Sequence, residues 1–311
     1  MSKIAIGVDI GGSHVSSMAF SLEEKKLLSK TFAESELDNH ASSNKILACW
    51  AEVIRETMQL ARREKVVGIG FAMPGPFDYV NGISLFTGQN GKYENTYGLN
   101  VPDELRKYLK LPAGFRIRFI NDATAFAIGE DQVGQGKLSN RSLSVTLGTG
   151  FGSAFIRNGL PVVEGNDVPN QGCVWHIPFE DGIADDYFST RGLISRFEKE
   201  TGKKINGVKE LALLAESDQV AQNLFIDFGR KMGAFVKPWV EKFGIEVLVM
   251  GGNISRAFHL FGSHLEQYLA DSNQQVKVAV SDLKENASFI GSAILVDDLF
   301  YEQVLPVLKK M

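Results

Sequence analysis

The chain has 311 residues, 44% of them hydrophobic and 23% charged, and a formal net charge of −4. Those values describe an ordinary globular chain with enough core for one large domain or two. The acidic balance argues against nucleic acid or an anionic membrane surface as partner. With only two cysteines, Cys49 and Cys173, a disulfide framework or a cysteine-rich zinc site is not expected. The apolar opening of MSKIAIGVDIGG is interrupted by Asp9, unlike a secretory leader. No apolar run approaches the roughly 18 residues of a membrane span. A cytoplasmic protein is expected.

In chain order, KIAIGVD (3–9) reads as a buried strand and HVSSMAF (14–20) as a second, joined through GGS in a tight hairpin. A third strand near LLSKTFA (27–33) would complete a meander. Ile46, Trp50, Val53, Thr57 and Ala61 recur at helical spacing, so 44–64 reads as an amphipathic helix. VVGIGFA (66–72) is another buried strand, closed by MPGP. FRIRFI (115–120) is a strand that runs into NDATAFAIGE, a helix start. SLSVTL (142–147) and GSAFIRNG (152–159) form a second hairpin with a glycine corner. Residues 217–243 read as a long helix, with Gly233 and Pro238 as positions for a kink. IEVLVM (245–250) is a strand ending at GGN, QVKVAV (275–280) another, and ASFIGSAILVDDLFYEQVLPVLKK a C-terminal helix or helix pair. Strands alternating with helices predict an α/β fold.

A faint repeat runs through this order. VDIGGSHVSSMAF (8–20) and VTLGTGFGSAFI (145–156) share one plan: strand, small polar residue, glycine, small residues, strand. That suggests two related domains. Glycine gives up packing and costs chain entropy, so a corner as bare as TLGTGFG needs a reason. Either the hairpin requires positive φ, or something must approach its main chain. Bare N–H groups can nest around phosphate oxygens, and two such corners facing one another would hold a polyanion. Asp122 is similarly double in meaning: after a strand and before a helix it is an N-cap worth about 1 kcal/mol, or a chemical group.

VDIGGSHV, PGP, INDATAFAIGE, TLGTGFG, VLVMGGN and ASFIGSAIL, in this order, resemble the motifs of the ROK family of sugar kinases and sugar-responsive repressors, within the actin/hexokinase superfamily. The resemblance runs from about residue 3 to about residue 296. It implies two ribonuclease-H-like α/β domains of the actin-like ATPase fold with a cleft between them: about 1–120 plus 292–311, and 121–291. It implies ATP-dependent phosphorylation of a hexose, with sugar and nucleotide as small-molecule partners and a homodimer as the assembly common in the family. Asp9, Gly11, Gly12 and Ser13 match the first phosphate loop. Gly148, Thr149, Gly150 and Gly152 match the second, and Gly251 and Gly252 the adenosine motif. Asp122 matches the base that takes the proton of the sugar hydroxyl, a role that fits a carboxylate because phosphoryl transfer needs an oriented nucleophile more than a strong base. Gly75 of PGP and Asn121 match sugar-binding positions. Asp9 matches the residue that holds Mg²⁺ through water, a cation that keeps several waters and takes few protein carboxylates.

One segment departs from the family pattern. Where ROK kinases carry G-E-x-G-H, a cysteine-rich zinc knuckle, then a Glu and a Ser four residues on, this chain has GCVWHIPFEDGIADDYFS. Gly172 and His176 fit the frame, His176 as a sugar ligand or as a core histidine. Cys173 stands in the place of the sugar-binding Glu. Trp175 stands in the place of the second Gly, either filling space left by the knuckle or offering a stacking face. The zinc cysteines are missing, so no zinc is expected. Asp185 and Ser189 keep the spacing of the Glu/Ser pair, with Asp186 as near a candidate. His14 replaces the lysine common after the first loop and reads as a strand residue. A thiol accepts hydrogen bonds poorly where a carboxylate grips two hydroxyls. That leaves open a sugar-binding regulator or pseudokinase without a DNA-binding domain, and more distantly a superfamily ATPase with no sugar site.

Overall fold

The structure, a computed structural model, describes residues 3–87 and 91–311. The chain divides into two compact units, Met1–Val133 with Glu285–Met311, and Gly134–Lys284. The sequence reading drew the lines at 120/121 and 291/292. The difference concerns two helices, and the packing described below explains it.

In the first unit β1 (Lys3–Ile10) and β2 (His14–Ser21) form the first hairpin in register Asp9 to Ser16. The single third strand expected over 27–33 is instead two short ones, β3 (Lys26–Leu27) and β4 (Ala33–Glu36), on either side of a 3₁₀ turn. The Thr31 hydroxyl makes the interruption. It accepts the Ala19 N–H at 2.9 Å and donates to the Leu28 carbonyl, so a side chain replaces a rung of the ladder. Helix α1 (Ser43–Leu60) buries Ile46, Trp50, Val53 and Thr57, the face its periodicity marks. Strand β5 (Lys65–Met73) pairs parallel with β1. A small ribbon, β6 (Phe77–Asp78) and β7 (Ile83–Ser84), precedes α2 (Val101–Leu109). Strand β8 (Arg116–Asn121) pairs parallel with β5, and α3 (Asp122–Val133) follows without a break.

The second unit repeats the plan. Strands β9 (Arg141–Leu147), β10 (Phe151–Arg157) and β11 (Leu160–Val162) make an antiparallel meander. After them come a ribbon, β12 (Pro178–Phe179) and β13 (Gly182–Ile183), and helices α4 (Ala184–Phe188), α5 (Thr190–Thr201) and α6 (Val208–Leu214). Helix α7 (Gln219–Phe243) runs as one element through Gly233 and Pro238. Strand β14 (Val247–Gly251), α8 (Phe258–Ala270) and β15 (Lys277–Val280) complete the unit. Gly233 owes its presence to packing: a Cβ there would lie 2.6 Å from the Cβ of Tyr268 on α8.

The sheets run β3-β2-β1-β5-β8 and β11-β10-β9-β14-β15, each an antiparallel meander continued by two parallel strands. The motif repeat is therefore a repeat of topology. The chain returns to the first unit in α9 (Asn286–Ile294) and α10 (Asp298–Leu308), so the C-terminal segment is a helix pair. Helix α9 lies on both β1 and β5 and against α3. A Cβ at Gly7 would meet the Phe289 carbonyl oxygen at 2.0 Å, at Gly70 that of Ser292 at 1.8 Å, and at Gly291 that of Ala125 at 1.8 Å. Small residues let these backbones touch, and that contact places α3 and α9 in the first unit.

Candidate active site

In the first unit the predicted residues gather at the carboxyl ends of three adjacent parallel strands, β1, β5 and β8, where open α/β sheets place ligands. Asp9 lies opposite Ala72, and Met73 opposite Asn121. Asn121 closes β8 and caps α3: its Oδ1 accepts the Thr124 N–H at 3.2 Å. The capping role expected of Asp122 therefore falls one residue earlier. Asp122 is the first helical residue, and its Oδ1 accepts the adjacent Ala123 N–H at 2.8 Å. Burial pushes its carboxyl above the usual range, against the lowering pull of that N–H and of the Lys92 ammonium. The Asn121 Nδ2 faces the Tyr79 hydroxyl at 3.5 Å, and Tyr79 donates to the Met73 carbonyl. Gly75 is exposed beside it; a Cβ there would be 3.4 Å from the Tyr79 oxygen.

Asp9 is pushed up to about 7, chiefly by desolvation and then by the charges of Asp122 and Glu285. Among the described residues no three such side chains group closely enough to hold a metal ion directly, so a cation here would be held by Asp9 through water. The corner that follows, Gly11–Ser13, is closed by the Gly11 N–H on the His14 carbonyl at 3.0 Å. Neither Gly11 nor Gly12 has positive φ. The requirement for an unusual backbone is therefore not what keeps the corner bare. The His14 ring covers Gly11, and the Lys92 ammonium lies 3.0 Å from where a Gly12 Cβ would be.

The second unit holds the other loop. Gly148 and Gly150 likewise lack positive φ, and a Cβ at Gly148 would meet nothing within 4 Å. That bareness leaves open main chain, as a phosphate loop requires. The loop is braced from below: Gly148 N–H donates to the Gly150 carbonyl, and Thr190 N–H to the Gly148 carbonyl at 2.8 Å. Asp185 takes part in the same brace. Its Oδ1 accepts the Phe151 N–H at 2.7 Å, and its Oδ2 pairs with Arg191 at 3.0 Å. Thr149 is exposed at the tip. Gly251 ends β14 opposite Thr146, and Gly252 takes φ +82, with a Cβ there only 2.4 Å from the Leu147 carbonyl oxygen. The glycine pair thus has a packing reason of its own.

The divergent segment lies in this unit. Gly172 must be glycine, since a Cβ would meet the Val162 oxygen at 2.4 Å. Cys173 Sγ is 3.8 Å from His176 Nδ1, and burial pushes its thiol up. His176 is half-buried, with Trp175 edge-on to its ring. Trp175 is 49% exposed, so it fills no core space. Ser189 is buried and caps α5 through Gly192 N–H. Asp186 Oδ2 accepts the Ile183 N–H at the start of α4. Sequence reasoning missed Lys92, Tyr93 and Asn39, which surround the first loop from segments with no motif of their own.

The sequence pattern of the ROK family matches residues 5–299. The chain belongs to the ROK family. The glucokinase of Thermotoga maritima is 24% identical to it, over 94% of this chain and 97% of that one. An N-acetyl-D-glucosamine kinase of Haemophilus influenzae is 22% identical over 82% and 86%. The solved ROK family glucokinase of Streptomyces griseus, in complex with glucose and AMPPNP, superposes with a TM-score of 0.72 at 20% identity, over 94% of this chain and 98% of that one. The fold of both units is thus that of the actin-like ATPases. Among the described residues, no helix is long and apolar enough to cross a membrane.

Proposed function

We propose that this ROK protein is an ATP-dependent kinase of a hexose or hexose derivative, with Asp122 as the base. The observation that carries the reading is the division of labour at the start of α3: Asn121 caps the helix, and the desolvated carboxylate of Asp122 is left for chemistry. A raised pKa brings it nearer the operating pH, where a general base is most effective. Asp122 accepts the proton of the sugar hydroxyl as that oxygen bonds to the γ-phosphorus. The bond from phosphorus to the β-phosphate oxygen breaks, giving sugar phosphate and ADP.

The remaining residues bind and orient. Asn121 keeps its oxygen on the helix and offers its amide, now beside the Tyr79 hydroxyl, to a sugar hydroxyl. Gly75, exposed next to Tyr79, leaves room for the ring. In the second unit His176 offers a ring nitrogen to the sugar. Asp185, committed to the Phe151 N–H and Arg191, serves by holding the second loop in shape rather than by gripping a hydroxyl. The main-chain N–H groups of Gly12 and Ser13 and of Thr149 and Gly150 receive phosphate oxygens, those of Gly11 and Gly148 being spent on closing their loops, and Gly251 and Gly252 lie against the nucleoside. Asp9 would hold Mg²⁺ through water, and the ion would neutralise charge on the donor phosphates. Support comes from the ROK fold and from kinases of glucose and N-acetylglucosamine among the relatives.

The test is ADP release with Mg²⁺ and ATP across a panel of hexoses and N-acetylhexosamines, with the phosphorylated product identified. Turnover that depends on one of these sugars supports the reading. Turnover with none of them, or equal turnover without sugar, refutes it.

A further inference from the structure

We propose that Lys92 is a phosphate-binding cation of the first glycine loop, a role that no motif in the sequence marks. The inference rests on the kinase reading above and adds a residue to it. Three features of the loop support it.

First, the ammonium lies directly over the glycine. A Cβ at Gly12 would be 3.0 Å from Lys92 Nζ and 3.2 Å from its Cε, so the side chain occupies the space that a larger residue at position 12 would fill. The same ammonium acts on Asp122. A cation that reaches both the loop and the base stands where an attacking hydroxyl and a transferring phosphoryl group would meet, and fixed cations there stabilise the charge that develops.

Second, the loop's acceptors are already used. The Tyr93 hydroxyl donates to the Gly11 carbonyl at 2.5 Å, and Asn39 Nδ2 donates to the Gly12 carbonyl. The N–H groups of Gly12 and Ser13 have no acceptor among the described residues. With its carbonyls covered and its N–H groups open, the corner presents donors, which selects for an anion.

Third, the backbone that carries Lys92 is fixed. Tyr93 is fully buried, its N–H is bonded to the Asn39 carbonyl at 3.0 Å, and its ring packs against Trp50 and Phe86. A four-carbon side chain on an anchored stem brings a charge to one place at little further entropic cost.

The experiment is calorimetric binding of ATP, inorganic tripolyphosphate and adenosine to the full-length wild type, Lys92→Met and Lys92→Arg, with sugar binding and thermal melting as controls. Methionine keeps the stem and loses the charge, and arginine keeps the charge. We expect Lys92→Met to weaken ATP and tripolyphosphate binding by about tenfold or more, the loss of one charge-assisted contact. Adenosine, sugar and melting temperature should not change, and Lys92→Arg should retain most of the affinity. Wild-type affinity of Lys92→Met for both phosphate ligands overturns the assignment and leaves the kinase reading standing. A wild type that binds neither ATP nor tripolyphosphate overturns both. An equal loss for adenosine shows a structural role and also overturns it.

Discussion

Replacing Asp122 by asparagine separates two roles that share the start of α3. The substitution keeps size and polarity and removes the proton acceptor. Loss of a positioned general base costs roughly 10²–10⁴ in rate, equivalent to about 2.7–5.5 kcal/mol of transition-state stabilisation. Stability should move the other way. The wild-type carboxyl is held above its usual pKa by burial, so its charged form is disfavoured in the folded chain, and a neutral amide removes that penalty. The cap is untouched, because Asn121 supplies it. Asn121→Ala should cost about 1 kcal/mol of stability by orphaning the Thr124 N–H. The assays are kcat by coupled ADP release, calorimetric Kd for sugar and nucleotide, and thermal melting. The active form is the carboxylate, so wild-type kcat should rise with pH through a value above that of an ordinary aspartate, an acid limb that Asp122→Asn lacks. A variant with near wild-type kcat would show that Asp122 is not the base. A variant destabilised as much as Asn121→Ala would show that the capping argument is wrong.

Three further outcomes follow from the same geometry. Gly291→Ala puts a Cβ 1.8 Å from the Ala125 oxygen and should cost about 1–3 kcal/mol by overpacking; Gly114→Ala, with nothing within 4 Å, is the control, and equal melting of the two would refute the close-contact account of α3 and α9. Asp131, only 9% exposed on α3, is raised from 3.8 to about 6 by desolvation, so the fold holds a proton that the unfolded chain releases in that window, and the associated stability is lost as pH rises through about 6. Asp131→Asn should therefore gain about 1–2 kcal/mol at pH 7–8 after partial solvent screening and nothing near pH 3.5 in urea unfolding; a gain independent of pH would contradict this. Cys173→Glu restores a carboxylate beside His176 and should lower KM for glucose about tenfold or more, whereas an already tight wild-type KM for glucose would show that other groups bind the hydroxyls.

What the sequence disclosed and what it concealed divide along the range of the forces involved. Both glycine corners, the strands that flank them and the buried face of α1 were legible because each is written in a few neighbouring residues, by apolar period or by an absence of side chains. The reason for the bare corners was not legible, since φ cannot be read from a letter; only the structure shows that Gly11, Gly12, Gly148 and Gly150 avoid the left-handed region, that His14, Lys92 and Asp185 crowd the first, second and fourth of them, and that Gly148 alone faces open space. Whether Asp122 is a cap or a chemical group stayed open because Asn and Asp are equally good N-caps, and which of the two caps α3 depends on where β8 stops. The expected domain limits differ from those of the compact units for the opposite reason. Helix α3 follows β8 directly, and α9 follows the second unit, yet their allegiance is decided by backbone contacts between Gly291 and Ala125 and between Gly129 and Ala287, pairs far apart in sequence. Lys92 is the extreme case. Nothing near it is periodic, the glycines beside it read as an ordinary turn, and its meaning comes from Tyr93 and Asn39 tying its segment to the first loop. A fixed cation beside a phosphate loop can be supplied from any segment that reaches it, so this function constrains a place in the fold and not a place in the chain.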